Sequence, residues 1–263
     1  MDVVTLREAS SPLLVSFPHS GTGIPTAIAQ QFTTAGRSLV DTDWHVPKLY
    51  DFLEELPVST ITANYSRYVI DVNRSPQGAA LYPGQNETEL CPTSTFAKQP
   101  IYLLDKAPDT AEIARRKECY WQVYHDALVE QLARIKKTYG YALLWDAHSI
   151  AAEVPRFFEG VLPDLNLGSA GGQSCDLRLT ADLLDKMDSS GYSAIHNGRF
   201  KGGYITRQYG SPNSGVHAIQ MEISQNTYLL RSSDYEYDSI RADKLSQFLK
   251  KMILVMLDYS PNH

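Results

Sequence analysis

Apolar positions along this chain follow two periods. Short, nearly unbroken runs closed by turn residues or by a charged side chain occur at Leu13-Leu14-Val15-Ser16-Phe17, Tyr141-Ala142-Leu143-Leu144-Trp145 and His217-Ala218-Ile219-Gln220-Met221. Runs of this length that are apolar on both faces predict strands of a parallel sheet buried between layers. Elsewhere the apolar residues recur every three or four positions. Ile113, Trp121, Tyr124, Leu128, Leu132 and Ile135 predict a long helix over 110–139 that Gly140 can end. Asp176 opens a helix over 177–187, and an amphipathic helix over 240–257 follows near the end of the sequence. Val46, Leu49, Tyr50 and Leu53 predict another over 46–55, capped by Asp41 or Asp43, and Pro25 suits the first position of one reaching about Phe32. Further strands are expected over 58–63, 68–74 and 193–196. The segments 76–100 and 151–173 carry the turn-forming residues and read as loops, the first long enough to suggest a functional role. Strands alternating with helices give an α/β class: a single domain over 1–263, with a mostly parallel or mixed sheet and helices on both faces.

Composition narrows the chemistry. The chain has 263 residues and a formal charge of −6, which argues against nucleic acid or an anionic membrane as partner, since both call for a basic surface. A small acidic substrate stays compatible, because a local arginine cluster can hold one. Three cysteines without CxxC spacing exclude a thiolate zinc site and a disulfide framework. No basic and apolar leader opens the sequence and no run approaches eighteen apolar residues, so a reduced, cytoplasmic protein is expected.

What stands at the ends of the buried strands changes the picture further. Ligands of open α/β sheets bind just beyond the carboxyl ends of the strands. The first run leads into Pro18-His19-Ser20-Gly21, the second into Asp146-Ala147-His148-Ser149, and the third carries Glu222. Each histidine alone is compatible with a structural role. Together they suggest a hydrolytic metal site, which needs about three N and O ligands and a position open to water. His19 and His148 supply two ligands. Asp43 is taken as the third, with Asp41 and His45 as alternatives. Strand alternation puts Asp146 on the same side as His148, where it can orient the imidazole. Glu222, set in an apolar strand, either meets a cation or faces the site, and it is assigned as the base that moves a proton. Asn73 and Arg74 end a predicted strand, with Arg67 a few residues before, and arginine suits bidentate grip on a carboxylate. Arg199, Lys201 and Arg207, around Gly202-Gly203, form a second candidate anion site. No GxGxxG, Walker lysine or Gly-x-Ser-x-Gly elbow is present, which counts against nucleotide binding and serine hydrolysis.

The order of motifs adds a resemblance. Pro18-His19-Ser20-Gly21, Asp41-Thr42-Asp43-Trp44, Ser66-Arg67-Tyr68-Val69-Ile70-Asp71-Val72-Asn73-Arg74, Leu81-Tyr82-Pro83-Gly84-Gln85, Tyr124-His125, Asp146-Ala147-His148-Ser149, the stretch Asn197-Gly198-Arg199-Phe200-Lys201-Gly202-Gly203-Tyr204-Ile205-Thr206-Arg207 and Gln220-Met221-Glu222 follow one another over roughly residues 13–230. The set resembles the N-formylglutamate amidohydrolase family, itself related to the zinc carboxypeptidases. The resemblance implies a phosphorylase/hydrolase-like, zinc-exopeptidase-like sheet. It implies hydrolysis of N-formyl-L-glutamate to formate and L-glutamate in histidine degradation. It also implies that Asp71-Val72-Asn73-Arg74 binds a substrate carboxylate and that Glu222 is the base. The resulting expectation is a zinc enzyme, another divalent metal being possible, for a small dicarboxylate: His19, Asp43 and His148 hold the metal, Glu222 and Arg67 (the latter on the oxyanion) are catalytic, and Asn73, Arg74, Arg199 and Arg207 bind substrate. The alternatives are a hydrolase of another N-acyl amino acid or a non-catalytic small-acid binder.

Overall fold

The computed structural model describes residues 1–78, 84, 86–230 and 235–261. Seven strands form one mixed sheet: β1 (Val4–Arg7), β2 (Leu13–Phe17), β3 (Ser59–Ala63), β4 (Ala142–Ile150), β5 (Leu165–Gly168), β6 (Ala194–His196) and β7 (Val216–Ser224), in the order β1-β3-β2-β4-β7-β5-β6. The inner four, β3, β2, β4 and β7, are parallel, while β1 runs antiparallel to β3 and β5 antiparallel to β7. The three apolar runs that stood out in the sequence are therefore neighbours, with β4 between β2 and β7.

Both faces of the sheet are covered. The helices are α1 (Thr26–Ala29), α2 (Thr34–Arg37), α3 (Val46–Leu49), α4 (Thr110–Arg116), α5 (Val123–Tyr139), α6 (Leu177–Asp188), α7 (Tyr204–Tyr209) and α8 (Ser239–Asp258). Leu13, Val15 and Phe17 of β2 pack with Leu143, Trp145 and Ala147 of β4 against α3, α6 and α8. Alternation turns Leu14, Ala142, Leu144 and Ala218 to the other face, under Trp121, Tyr124, Leu128, Leu132 and Ile135. Register pairs His148 with Glu222 and Asp146 with Gln220, so all four side chains share the face covered by α5 and α7. Among the described residues no helix is long and apolar enough to cross a membrane.

The structure corrects several local expectations. Residues 68–74 are not a strand but a series of turns: Ser66 carbonyl accepts from Val69 N, and the Asp71 carboxylate accepts from Asn73 N. The segment is nevertheless buried, so its carbonyls need donors other than a sheet ladder. The helix over it supplies them. Arg116 Nη1 donates to Val69 O at 3.0 Å, Trp121 Nε1 to Arg74 O at 3.0 Å, and His125 Nε2 meets Val72 O at 2.8 Å. A π-helical turn, Lys117–Gln122, joins α4 to α5. Its wider coil sets Arg116, Trp121 and His125 against the same segment despite spacings of five and four.

The helix expected over 46–55 breaks at Tyr50 into α3 and a 3₁₀ turn, Asp51–Glu55, and its N-cap is His45, not Asp41 or Asp43. Pro25 caps α1 and does not start it, and that helix is one turn long. The loop over 151–173 contains β5, whose four residues are disguised by Pro163 before them and Gly168 at their end. Neither β1 nor α7 was expected.

His125 yields a pH test. Its ring stacks on Trp121, its Nδ1 lies 2.6 Å from Tyr209 Oη, and burial lowers its pKa to about 4. A folded pKa below the unfolded value of about 6.5 means that the unfolded chain takes up the proton first as pH falls. The stabilisation is then full above pH ~6.5 and is lost between ~6.5 and ~4, by up to about 3 kcal/mol. Urea unfolding of wild type and His125→Gln at pH 7 and pH 5 checks this: the stability difference between them should shrink at pH 5.

Candidate active site

β2 ends at Phe17, and the turn after it is forced close to β3. A Cβ on Gly21 would lie 2.4 Å from Ala63 O and 2.7 Å from Tyr65 O, so only glycine fits there. That turn carries His19, whose carbonyl accepts from Asp43 N at 3.1 Å. The Asp43 carboxylate in turn accepts from Ser149 N, at the end of β4, at 3.1 Å. The backbone thereby ties the three expected metal ligands together. His148 Nδ1 lies 3.0 Å from Asp43 Oδ2, and His19 Nδ1 lies 3.8 Å from the same oxygen. The candidate ligand atoms of His19, Asp43 and His148 all fall within 4.8 Å of one another.

Each imidazole presents Nδ1 to Asp43 and has its far nitrogen held by another buried acid. His19 Nε2 is 2.6 Å from Asp71 Oδ1, and His148 Nε2 is 3.0 Å from Asp146 Oδ2. Carboxylates in that position fix the ring and put the proton on Nε2, which leaves Nδ1 as the donor atom. Behind Asp146 the chain continues: Ser16 Oγ donates to Asp146 Oδ1 at 2.8 Å, so the Tyr124 hydroxyl, 2.8 Å away, donates to Ser16. Asp71 also takes Arg67 Nη2 at 2.6 Å.

The electrostatics follow from this crowding. Burial, with Arg67 nearby, lowers the pKa of His19 and favours the neutral ring. Burial opposes charge on His148 as well, but Asp146 and Asp43 outweigh it and raise that pKa well above the usual value. Asp71 is buried too, yet Arg67 and His19 hold it well below the usual carboxylate range. Burial pushes the Glu222 carboxyl up to about 8. Four buried acids (Asp43, Asp71, Asp146 and Glu222) meet one buried guanidinium, that of Arg67. Buried charge of one sign calls for compensation, and an N₂O donor set of two neutral imidazoles and a carboxylate fits a divalent cation with a coordination position to spare.

The remaining expected residues are placed as follows. Glu222 lines the same cavity and accepts from Gln220 Nε2 at 3.1 Å, while Gln220 Oε1 accepts from Gly203 N at 2.6 Å. Arg67 lines it as well, and its Nε has no hydrogen-bond partner among the described residues. Asn73 lines it with Oδ1 bonded to Ile205 N and Nδ2 3.0 Å from His148 Nε2. A Cβ at Gly203 would lie 2.4 Å from that Asn73 amide. Arg74 and Arg199 line the wall, Arg199 donating through Nε to Phe157 O at 2.7 Å. Arg207 is not among the lining residues, and its Nε donates to Gly202 O at 2.8 Å. Lys201 is not among them either. Asp71, expected to bind a substrate carboxylate, instead grips His19 and Arg67. The alternative ligands have other partners: Asp41 accepts from the Tyr68 hydroxyl and from Phe96 N, and His45 Nε2 meets Tyr235 O. Of Leu81-Tyr82-Pro83-Gly84-Gln85, all but Gly84 lie outside the described residues.

Sequence reasoning missed Gln220, although its two-residue spacing from Glu222 on one strand signals a shared face. It also missed the aromatic wall of Phe96, Phe157 and Phe200, which no local pattern announces.

Fold and site together define a hydrolytic enzyme on a mixed α/β sheet, with a His-Asp-His cluster able to take a cation. The chain belongs to the N-formylglutamate amidohydrolase family, whose model matches residues 11–229. It is 43% identical over 257 residues to N-formylglutamate deformylase of Pseudomonas aeruginosa, covering 97% of this chain and 96% of that one. It is 41% identical to the Pseudomonas putida protein of the same name, with the same coverage. The crystal structure of an N-formylglutamate amidohydrolase from Ralstonia eutropha shares the fold, with a TM-score of 0.79 at 24% identity over 97% of this chain and 99% of that one.

The Ser16 relay is open to test. Ser16→Ala leaves the Asp146 oxygen and the Tyr124 hydroxyl, both fully buried, each short of a partner, and should cost about 1–3 kcal/mol in chemical denaturation.

Proposed function

We propose that the protein hydrolyses N-formyl-L-glutamate to formate and L-glutamate with a divalent cation, zinc by donor type, held by His19, Asp43 and His148. The observation that carries this reading is the pair of carboxylate-backed imidazoles presenting Nδ1 to one Asp43 oxygen, with Glu222 in the same cavity. The names of the two Pseudomonas relatives supply the substrate. A cation bound there supplies Lewis acidity, making a water more acidic and polarising the formyl carbonyl.

The chain's own residues do the rest. Glu222, with its carboxyl raised to about 8 by burial, is suited to take a proton from the attacking water and pass it to the departing amine. Gln220 steers it, donating to Oε2 while Gly203 N fixes the amide of Gln220. Arg67 holds a donor towards the oxyanion, and its grip on Asp71 stops it from drifting. Arg74 and Arg199, in the cavity wall, receive the carboxylates of the glutamate portion. Asn73 supports the His148 side and does not need to touch the substrate.

Formate release from N-formyl-L-glutamate, measured alongside metal content, tests the reading. Glu222→Gln should keep its metal and lose about 10²–10⁴-fold in kcat; near-normal turnover would remove Glu222 from the role of base. Asp71→Asn should weaken divalent-cation affinity about 10–100-fold in competition with a chromophoric chelator. Unchanged affinity in that variant would detach Asp71 from the metal site.

A further inference from the structure

The active-site cavity has a second cavity beside it. The first has a volume of about 60 Å³; its neighbour has about 360 Å³. Among the described residues the two share three: Phe96, Ser149 and Ile150. Ser149 is fixed, since its hydroxyl accepts from the Tyr228 hydroxyl at 2.7 Å and its N–H is held by Asp43. The partition is therefore made by the side chains of Phe96 and Ile150. The Phe96 ring packs edge-on against Phe157 with centroids 4.8 Å apart, lies 5.0 Å from the Arg67 guanidinium, and contacts the cluster of Ile150, Val154 and Leu162.

The two sides of this wall differ in chemistry. Arg74 and Arg199, the groups suited to carboxylates, belong only to the small cavity. The large one is lined by Val40, Ala97, Ala151, Val154 and Pro155, with Asp41 and Glu153 as its charged residues. A substrate with its scissile carbonyl at the His19-Asp43-His148 centre and its carboxylates at Arg74 and Arg199 has its acyl substituent directed to the remaining side. That side is the wall that starts at Ser149, next to His148.

We infer that Phe96 and Ile150 set the size of the acyl group, and that the cavity behind them is a closed annex able to take a short uncharged alkyl chain. This rests on the N-formyl amide reading of the reaction. The formyl carbon carries a hydrogen and needs no space beyond the wall. An acyl chain of two or three further carbons does, and the annex offers an apolar volume for it once the wall is cut back. The chemistry is unchanged. Water adds to the acyl carbon, the C–N bond breaks, and the products are the carboxylate RCOO⁻ and glutamate with its amine protonated. The acidic residues of the annex repel a second carboxylate on the acyl group, so N-butyrylglutamate and N-succinylglutamate, similar in length, are told apart.

The test compares N-formyl-, N-acetyl-, N-butyryl- and N-succinyl-L-glutamate with the metal-loaded enzyme and its Phe96→Ala and Ile150→Ala variants. Wild type should fall steeply in kcat/KM from formyl to acetyl. In either variant the butyryl-to-formyl ratio should rise about tenfold or more, with no such rise for succinyl. Isothermal titration with N-butyryl-L-glutamate needs no turnover. It reads the same shift as a gain in affinity even where Phe96→Ala disturbs Arg67. A butyryl ratio and affinity that stay at wild-type values in folded Phe96→Ala and Ile150→Ala protein would overturn the inference, as would an equal gain for succinyl. Absence of formate release from N-formyl-L-glutamate by wild type would instead defeat the reading of the reaction itself.

Discussion

Asp71 is the interaction on which the site hangs. It is fully buried, and its two oxygens meet His19 at 2.6 Å, Arg67 at 2.6 Å and the N–H of Asn73 at 2.8 Å. A buried carboxylate is costly unless it is paired and hydrogen-bonded, and this one is both. One group thus orients an imidazole, anchors a guanidinium and shapes the turn that brings Asn73 to His148. The parallel strands put His148 and Glu222 in register for a different reason, the ladder of β4 with β7. The catalytic half supplied by strands and the half supplied by turns meet at Asp43.

Holding those turns inside the protein requires satisfied backbone. The segment from Arg67 to Arg74 has no strand partner, and the helix above it compensates through Arg116, Trp121 and His125. Arg116 is fully buried, with Nε on Glu112 and Nη1 shared between Val69 O and the Tyr102 hydroxyl. The same helix supplies Tyr124, the far end of the relay that reaches His148 through Ser16 and Asp146. One long element therefore positions both imidazoles, each through an acid.

The strands that carry His19, His148 and Glu222 were legible because burial on both faces writes itself into sequence as a continuous apolar run. The long helices were legible by their period and by Asp176 and Gly140 at their ends. What stayed hidden depended on contacts far apart in the chain. Tyr68-Val69-Ile70-Asp71-Val72 has the alternation of a strand, and only the donors from α4, the π turn and α5 make it something else. Asp71 was taken for a substrate ligand because its true partner, His19, is 52 residues away. Asp43 could be named only as one of three candidates, since nothing local distinguishes it from Asp41; the structure separates them through Tyr68, which occupies Asp41. Strand β5 escaped because four residues beside a proline carry too little pattern.

The π-helical turn between α4 and α5 has a consequence for how this helix tolerates change in length. A π turn amounts to one residue more than a regular helix would use over the same span. Loss of a single residue from Lys117–Gln122 would leave a smoother helix with more uniform hydrogen bonding, yet it would rotate everything on one side of the deletion by about 100° relative to the other. Arg116 could then keep its place over Val69, or Tyr124 its place over Ser16, but not both. The irregularity acts as a phase correction between the two ends of one helix.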